Sequence, residues 1–166
     1  MTNKLRSKND SANGIMSLLA ALLALTAPLS QAQAADQVKW QAMNRTASSI
    51  TGDIALSSDK LTMAGKDYPL TLVRDIDAQH LSDVGKIVMA TPTAARLYKV
   101  NVPATAKLLN GNTLCGSKDA AWLLTVIGGN GQSLSLAFFS GSSEPDLDYN
   151  SVSKGTSLCG TYGYGH

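Results

Sequence analysis

Apolar and polar residues alternate along most of this chain with the period of two that a half-buried strand needs. Ile50, Gly52, Ile54 and Leu56 interleave with Thr51, Asp53 and Ala55 and predict a first strand. Ser57-Ser58-Asp59 reads as a turn, after which Leu61 and Met63 alternate again. Ala64-Gly65-Lys66-Asp67 makes a second turn before Tyr68, Leu70 and Leu72. Pro69 assigns that third run to an edge or a strand start, because proline donates nothing to a ladder. Three short strands in a meander are the simplest account.

The middle is less regular. Ile76, Leu81 and Val84 are loosely spaced, with Asp77 and Ser82 available as caps, which leaves room for one short helix between Asp75 and Lys86. Ile87-Val88-Met89 reads as a buried strand stopped by Thr91-Pro92. Leu97, Val100 and Val102 belong to a further strand, with Tyr98 on the face opposite Leu97, and Asn110-Gly111-Asn112 is a tight-turn sequence. The strongest pattern comes last. Trp122-Leu123-Leu124-Thr125-Val126-Ile127 is an apolar central strand, Gly128-Gly129-Asn130-Gly131 turns, and Ser133 to Phe139 returns. A polar stretch from Ser140 to Gly155 precedes a final strand, Leu158 to Tyr164. The pattern predicts an all-β, single-domain antiparallel barrel or sandwich of about seven or eight short strands.

One apolar run breaks the β pattern. Lys4, Arg6 and Lys8 precede an apolar stretch from Ile15 to Ala27, and Pro28 and Ala32-Gln33-Ala34 follow it. That is the form of a secretory signal cut after Ala34, with the domain beginning at Ala35. The run falls short of the ~20 residues that span a bilayer, so no membrane anchor is expected after cleavage. The charge changes with it. Three of the 14 basic residues and one of the 12 acidic ones lie before Ala35, so the remainder is neutral. A neutral chain without a Lys/Arg cluster argues against nucleic acid as a partner. The expected location is periplasmic or secreted.

Export also bears on the two cysteines. Cys115 and Cys159 sit in matching contexts, Thr-Leu-Cys-Gly-Ser and Ser-Leu-Cys-Gly-Thr, and in an oxidising compartment they are expected to pair as a disulfide joining two similar strand ends.

Candidate chemistry is sparse. Glu144, Asp146, Asp148 and Asn150 recur at alternate positions, with Tyr149 among them, and resemble the opening of a calcium loop. The match fails where Ser151 replaces the turn glycine and Ser157 replaces the bidentate glutamate, so an acidic solvated binding loop is the better reading. Gly129-Asn130-Gly131 lacks the third glycine and the helix of a dinucleotide fingerprint and reads as a turn. His80 has Asp77 and Asp83 three residues away on either side, an acid–base arrangement without a nucleophile elbow. No metal site and no cofactor are expected.

Ile50-Thr51-Gly52-Asp53-Ile54, Leu97-Tyr98, Leu109-Asn110-Gly111-Asn112-Thr113-Leu114-Cys115-Gly116, the strand end Leu136 to Gly141 and Leu158-Cys159-Gly160-Thr161-Tyr162 carry a likeness. Together they resemble a group of short exported proteobacterial proteins with no assigned function. The likeness consists of turns, strand ends and a cysteine pair, and implies no catalytic residue. In size, export and disulfide the chain is also similar to the small β-barrel lysozyme inhibitors of bacterial envelopes, a likeness of architecture alone. The expectation is a binding module for a protein or small ligand in the envelope, such as an inhibitor of a hydrolase like lysozyme, and not an enzyme. Two alternatives stay open: an accessory that binds through a sheet edge, and a hydrolase using His80 with Asp77 or Asp83.

Overall fold

The computed structural model describes residues 36–166, and the expected leader, residues 1–34, lies outside them. Nine strands and three helices follow in chain order. Strand β1 is Val38–Ala42, helix α1 Arg45–Ile50, β2 Ile54–Leu56, β3 Lys60–Met63, β4 Lys66–Pro69 and β5 Thr71–Asp75. Helix α2 is Leu81–Val88, β6 Pro92–Val102, β7 Ala120–Gly128, β8 Ser133–Ser140, α3 Tyr149–Lys154 and β9 Leu158–Gly165. The meander is present, with the β3–β4 hairpin closed by Ala64 and Gly65 at φ 49° and 72°. Two central residues at positive φ match the right-handed twist of the strands they join. Pro69 ends β4, which pairs with β3 alone.

Two segments depart from the β pattern. The run read as a strand from Ile50 begins in α1, because the Asn44 side chain accepts from the Ala47 amide at 2.8 Å and caps a helical turn. Ile87 and Val88 form the last turn of α2 instead of a strand. Met89 follows at φ 54°, its amide bonded to the Gly85 carbonyl, a left-handed helix stop. Gly85 is required there: a Cβ would lie 2.7 Å from the Ala90 carbonyl oxygen.

All nine strands join one antiparallel sheet in the order β4-β3-β2-β1-β9-β8-β7-β6-β5. Every ladder except β1–β9 joins sequence neighbours. The two ends of the order, β4 and β5, are separated in the chain by Leu70 alone and share no ladder. The sheet is thus an up-and-down barrel with one open seam.

Alternation explains the core. Tyr98, Val100 and Val102 of β6, Leu134, Leu136 and Phe138 of β8, and Tyr162 and Tyr164 of β9 face inward. They meet Trp40, Ile54, Leu61, Met63 and Tyr68 from the first four strands. The intervening residues form a second cluster outside: Ala95 and Leu97 of β6, Trp122, Leu124 and Val126 of β7, and Ala137 and Phe139 of β8. Val84, Ile87 and Val88 of α2, Leu147 of the loop before α3 and Val152 of α3 cover it. Strands β7 and β8 are therefore buried on both faces along most of their length, and β6 in part, which is why β7 reads as continuously apolar. Tyr98 shares the inner face with Val100 and Val102, while Leu97 alone turns outward.

Cys115 and Cys159 are bonded, with Cα atoms 4.7 Å apart. Only Cys159 lies in a strand, β9; Cys115 sits in the β6–β7 connection, in an isolated bridge to Lys118. The bond ties that connection to the sheet. Among the described residues no helix is long and apolar enough to cross a membrane.

Candidate functional site

Two hollows gather the groups able to do chemistry. The first contains both sites expected from sequence. Ile76 anchors the chain before α2 in the outer cluster, and Leu147 anchors the acidic loop there, so the two segments are held side by side. Arg74, His80, Asp83, Glu144, Asp146 and Asp148 line a polar hollow of about 450 Å³ between them.

Its charges are engaged with one another. The Arg74 Nε donates to Glu144 Oε1 at 2.8 Å, and the Lys86 Nζ to Asp83 Oδ1 at 3.0 Å. Asp148 caps α3 by accepting from the Ser151 amide at 3.0 Å. Asp146 accepts from the Asp148 amide at 3.0 Å, and that bond first, then the Ser151 side chain, holds its carboxyl below the usual carboxylate range. Tyr149 and Asn150 open α3 and are exposed, with Lys86 Nζ 6.0 Å from the Tyr149 ring centroid.

His80 has the carboxylate neighbour that its spacing implied, but only one. Its Nδ1 lies 2.7 Å from Asp77 Oδ1, and that hydrogen bond is the main cause lowering the Asp77 carboxyl. Asp77 also accepts from the Gln79 and His80 amides, which makes it the turn residue before α2. Asp83 pairs with Lys86 instead. No serine, threonine or cysteine lines this hollow, so the imidazole has no nucleophile to activate there. Among the described residues no group of three or more His, Cys, Asp or Glu side chains is placed to hold a metal ion.

The second hollow, about 370 Å³, lies at one end of the barrel where the inner residues of β1, β2, β6 and β7 come together. Trp40 and Tyr98, both nearly fully buried, contribute aromatic surface, and Val38, Leu56 and Ile127 add apolar walls. The His166 ring stacks on Trp40 with centroids 4.0 Å apart. Asp36, Ser57 and Ser58 add polar surface beside β1 and β2, and two polar groups stand on the facing strands. Arg96 stands two positions before Tyr98 on the inward row of β6, and Thr125 is its partner across the β6–β7 ladder.

Neither polar group is fully used. Arg96 Nε donates to Asp75 Oδ1 at 2.8 Å, and the Tyr98 hydroxyl also lies beside the guanidinium, which leaves further N–H donors for a ligand. Asp75 and then the Tyr98 hydroxyl raise the Arg96 pKa above its ordinary value, so the guanidinium is always charged. Thr125 is 95% buried, yet its hydroxyl has only a 3.5 Å contact with the Arg96 carbonyl. A buried hydroxyl with so long a bond is close to unsatisfied.

Arg96, Thr125 and Trp40 are not singled out by the sequence pattern. One signal was available: on β6, Arg96 is the charged member of an otherwise apolar alternate row from Ala94 to Val102. Compared with known proteins, the chain matches no family model, no curated protein and no solved structure.

Proposed function

We propose that this protein is a binding module of an oxidising, extracytoplasmic compartment, and that it holds a small molecule in the barrel-end hollow. The observation that carries this reading is the lining itself: an aromatic and aliphatic wall carrying two convergent polar groups with spare hydrogen-bonding capacity. Ligand sites are typically concave, largely apolar and set with a few placed polar groups, and barrel mouths are a common place for them. The disulfide supports the compartment, since such bonds persist where glutathione does not reduce them.

The alternatives have less support. An inhibitor acting through its acidic loop needs a protruding segment, whereas Leu147 is buried and Glu144 and Asp148 are committed to internal bonds. A hydrolase working through a side-chain nucleophile would need one beside His80, and among the described residues no Ser, Thr or Cys lines that hollow. An edge-binding accessory needs a long flat edge, and β5 is five residues with a bulge between Leu72 and Arg74.

The test is a fragment screen read by NMR on the two indole N–H signals. Trp40 borders the hollow and Trp122 lies in the outer cluster, its Nε1 bonded to the Gly141 carbonyl at 3.0 Å. Binders should shift Trp40 and leave Trp122 unmoved. Hits that cluster on Trp122 or on the acidic loop, or a broad neutral and charged library with no hit on Trp40, would end this reading.

A further inference from the structure

We infer that the barrel-end hollow selects a small monocarboxylate with an apolar or aromatic body, a step that rests on the hollow being the binding site. The body lies against Trp40 and Tyr98, and the carboxylate meets the Nη edge of Arg96 and the Thr125 hydroxyl. The inference starts from an inconsistency in the inner row of β6. Val102, Val100 and Tyr98 bury apolar surface, and the next inward residue is a permanent cation. Its side chain is 54% exposed, so the guanidinium sits at the mouth of the hollow, where it stays hydrated and can still reach the polar end of a ligand. Asp75 engages Nε and the Tyr98 hydroxyl lies beside the guanidinium, and the remaining N–H donors suit a carboxylate.

Thr125 is the independent second observation. Its hydroxyl is buried in the same lining, directly across the ladder from Arg96, and makes no bond shorter than 3.5 Å. A carboxylate is an acceptor only, so it can take one hydrogen bond from the guanidinium and one from this hydroxyl. The charge balance sets the limit. Asp75 is paired with Arg96, and Asp36 also lines the hollow, so two carboxylates and one guanidinium set its charge before any ligand arrives. A dianion such as a phosphate monoester would therefore be repelled more strongly than a monoanion, whose single charge the guanidinium must hold against this balance.

The experiment compares matched pairs by calorimetry and by the Trp40 indole shift: 4-phenylbutanoate against 4-phenylbutanamide, and octanoate against octanamide. The acids should bind about tenfold tighter than the amides, the size of one charge-assisted hydrogen bond. Arg96→Gln should remove that preference while amide binding persists. Asp75→Asn, which strips the competing carboxylate from Arg96, should tighten the acids and leave the amides unchanged; a merely structural ion pair would give no such gain. Thermal midpoints of both variants establish that they fold. Acids and amides binding alike to the native protein would overturn the carboxylate inference and leave the hollow as the site. Acid preference that survives Arg96→Gln would overturn it as well. Amides and acids that both fail to shift Trp40 overturn it too, and the neutral fragments of the preceding screen then decide whether the hollow itself binds anything.

Discussion

The polar hollow beside α2 and the barrel-end hollow are of similar size, about 450 and 370 Å³, yet differ in what holds their walls. The first is built from a helix start and a loop, segments that have no ladder to satisfy their backbone. Its acids therefore do that work: Asp77 closes the turn before α2, Asp148 caps α3 and Asp146 braces Asp148. The second is built from strands whose amides are bonded to neighbouring strands, so its side chains are free of that duty. Arg96 and Thr125 keep donors in reserve because the sheet already fixes them. Abundance of charge in a loop is thus a poor sign of a site, and two underused groups on a strand are a better one.

The largest expected effect tests the outer cluster that supports the polar hollow. Trp122 is buried there with Phe139, and the Lys99 Nζ lies 5.3 Å from its ring centroid. Trp122→Ala should cost about 3–5 kcal/mol by chemical denaturation, through cavity formation. A loss below ~1 kcal/mol would mean that the outer cluster does not depend on this strand and that the polar hollow stands without it.

Next comes the inner cluster beneath the barrel end. Burial pushes the Tyr162 hydroxyl up to about 12. Burial also raises Tyr164, whose hydroxyl lies 2.6 Å from Thr51 Oγ1. In the unfolded chain both ionise near pH ~10. Below that pH their contribution is fully present. Above it the unfolded chain releases protons that the folded chain keeps, so stability falls as pH rises, by at most ~1.4 kcal/mol per pH unit for each tyrosine. Denaturation midpoints at pH 9, 10.5 and 11.5 measure this, and Tyr164→Phe should flatten the slope. A midpoint that does not move would show that the inner cluster is open to solvent.

The smallest effects separate a helix cap from an idle histidine within one hollow. Asp148→Ala removes the α3 cap and should cost about 1 kcal/mol. His80→Ala, at a half-exposed side chain, should change stability by less than ~0.5 kcal/mol. The reverse ranking would mean that the His80–Asp77 contact organises the hollow, and would revive the acid–base reading.

The β7–β8 hairpin was legible because its two apolar runs flank Gly128-Gly129-Asn130-Gly131, a turn needing positive φ, which Gly129, Asn130 and Gly131 all adopt. The disulfide was legible because two cysteines have one pairing. Helix α1 was hidden because six residues are too few to show a helical period, and Ile50 happens to fall in step with Ile54 and Leu56. Ile87-Val88 misled for another reason. A helix laid on an apolar sheet face buries its β-branched residues as a strand would, and composition alone does not separate the two. The barrel-end hollow was beyond reading for a topological reason. Its walls, β1–β2 and β6–β7, face each other only because the sheet curls until β1 meets β9, and no local pattern records that meeting.

That meeting has a consequence for how the chain reaches its final shape. Gln41 and Ala42 pair with Gly165 and Tyr164, so the first strand waits for the last. The other ladders, β5–β6 and β6–β7 with their longer connections included, join successive segments and can form as soon as their own stretch is available. Closure entropy, which grows with the length of chain enclosed, is concentrated in the single β1–β9 step. Until that step, the facing edges of β1 and β9 both lack partners, and Trp40 has no His166 beside it. Cys159 lies at the other end of β9, beside β8, so the covalent bond to Cys115 can form once β9 has paired with β8 and holds that strand ready for β1.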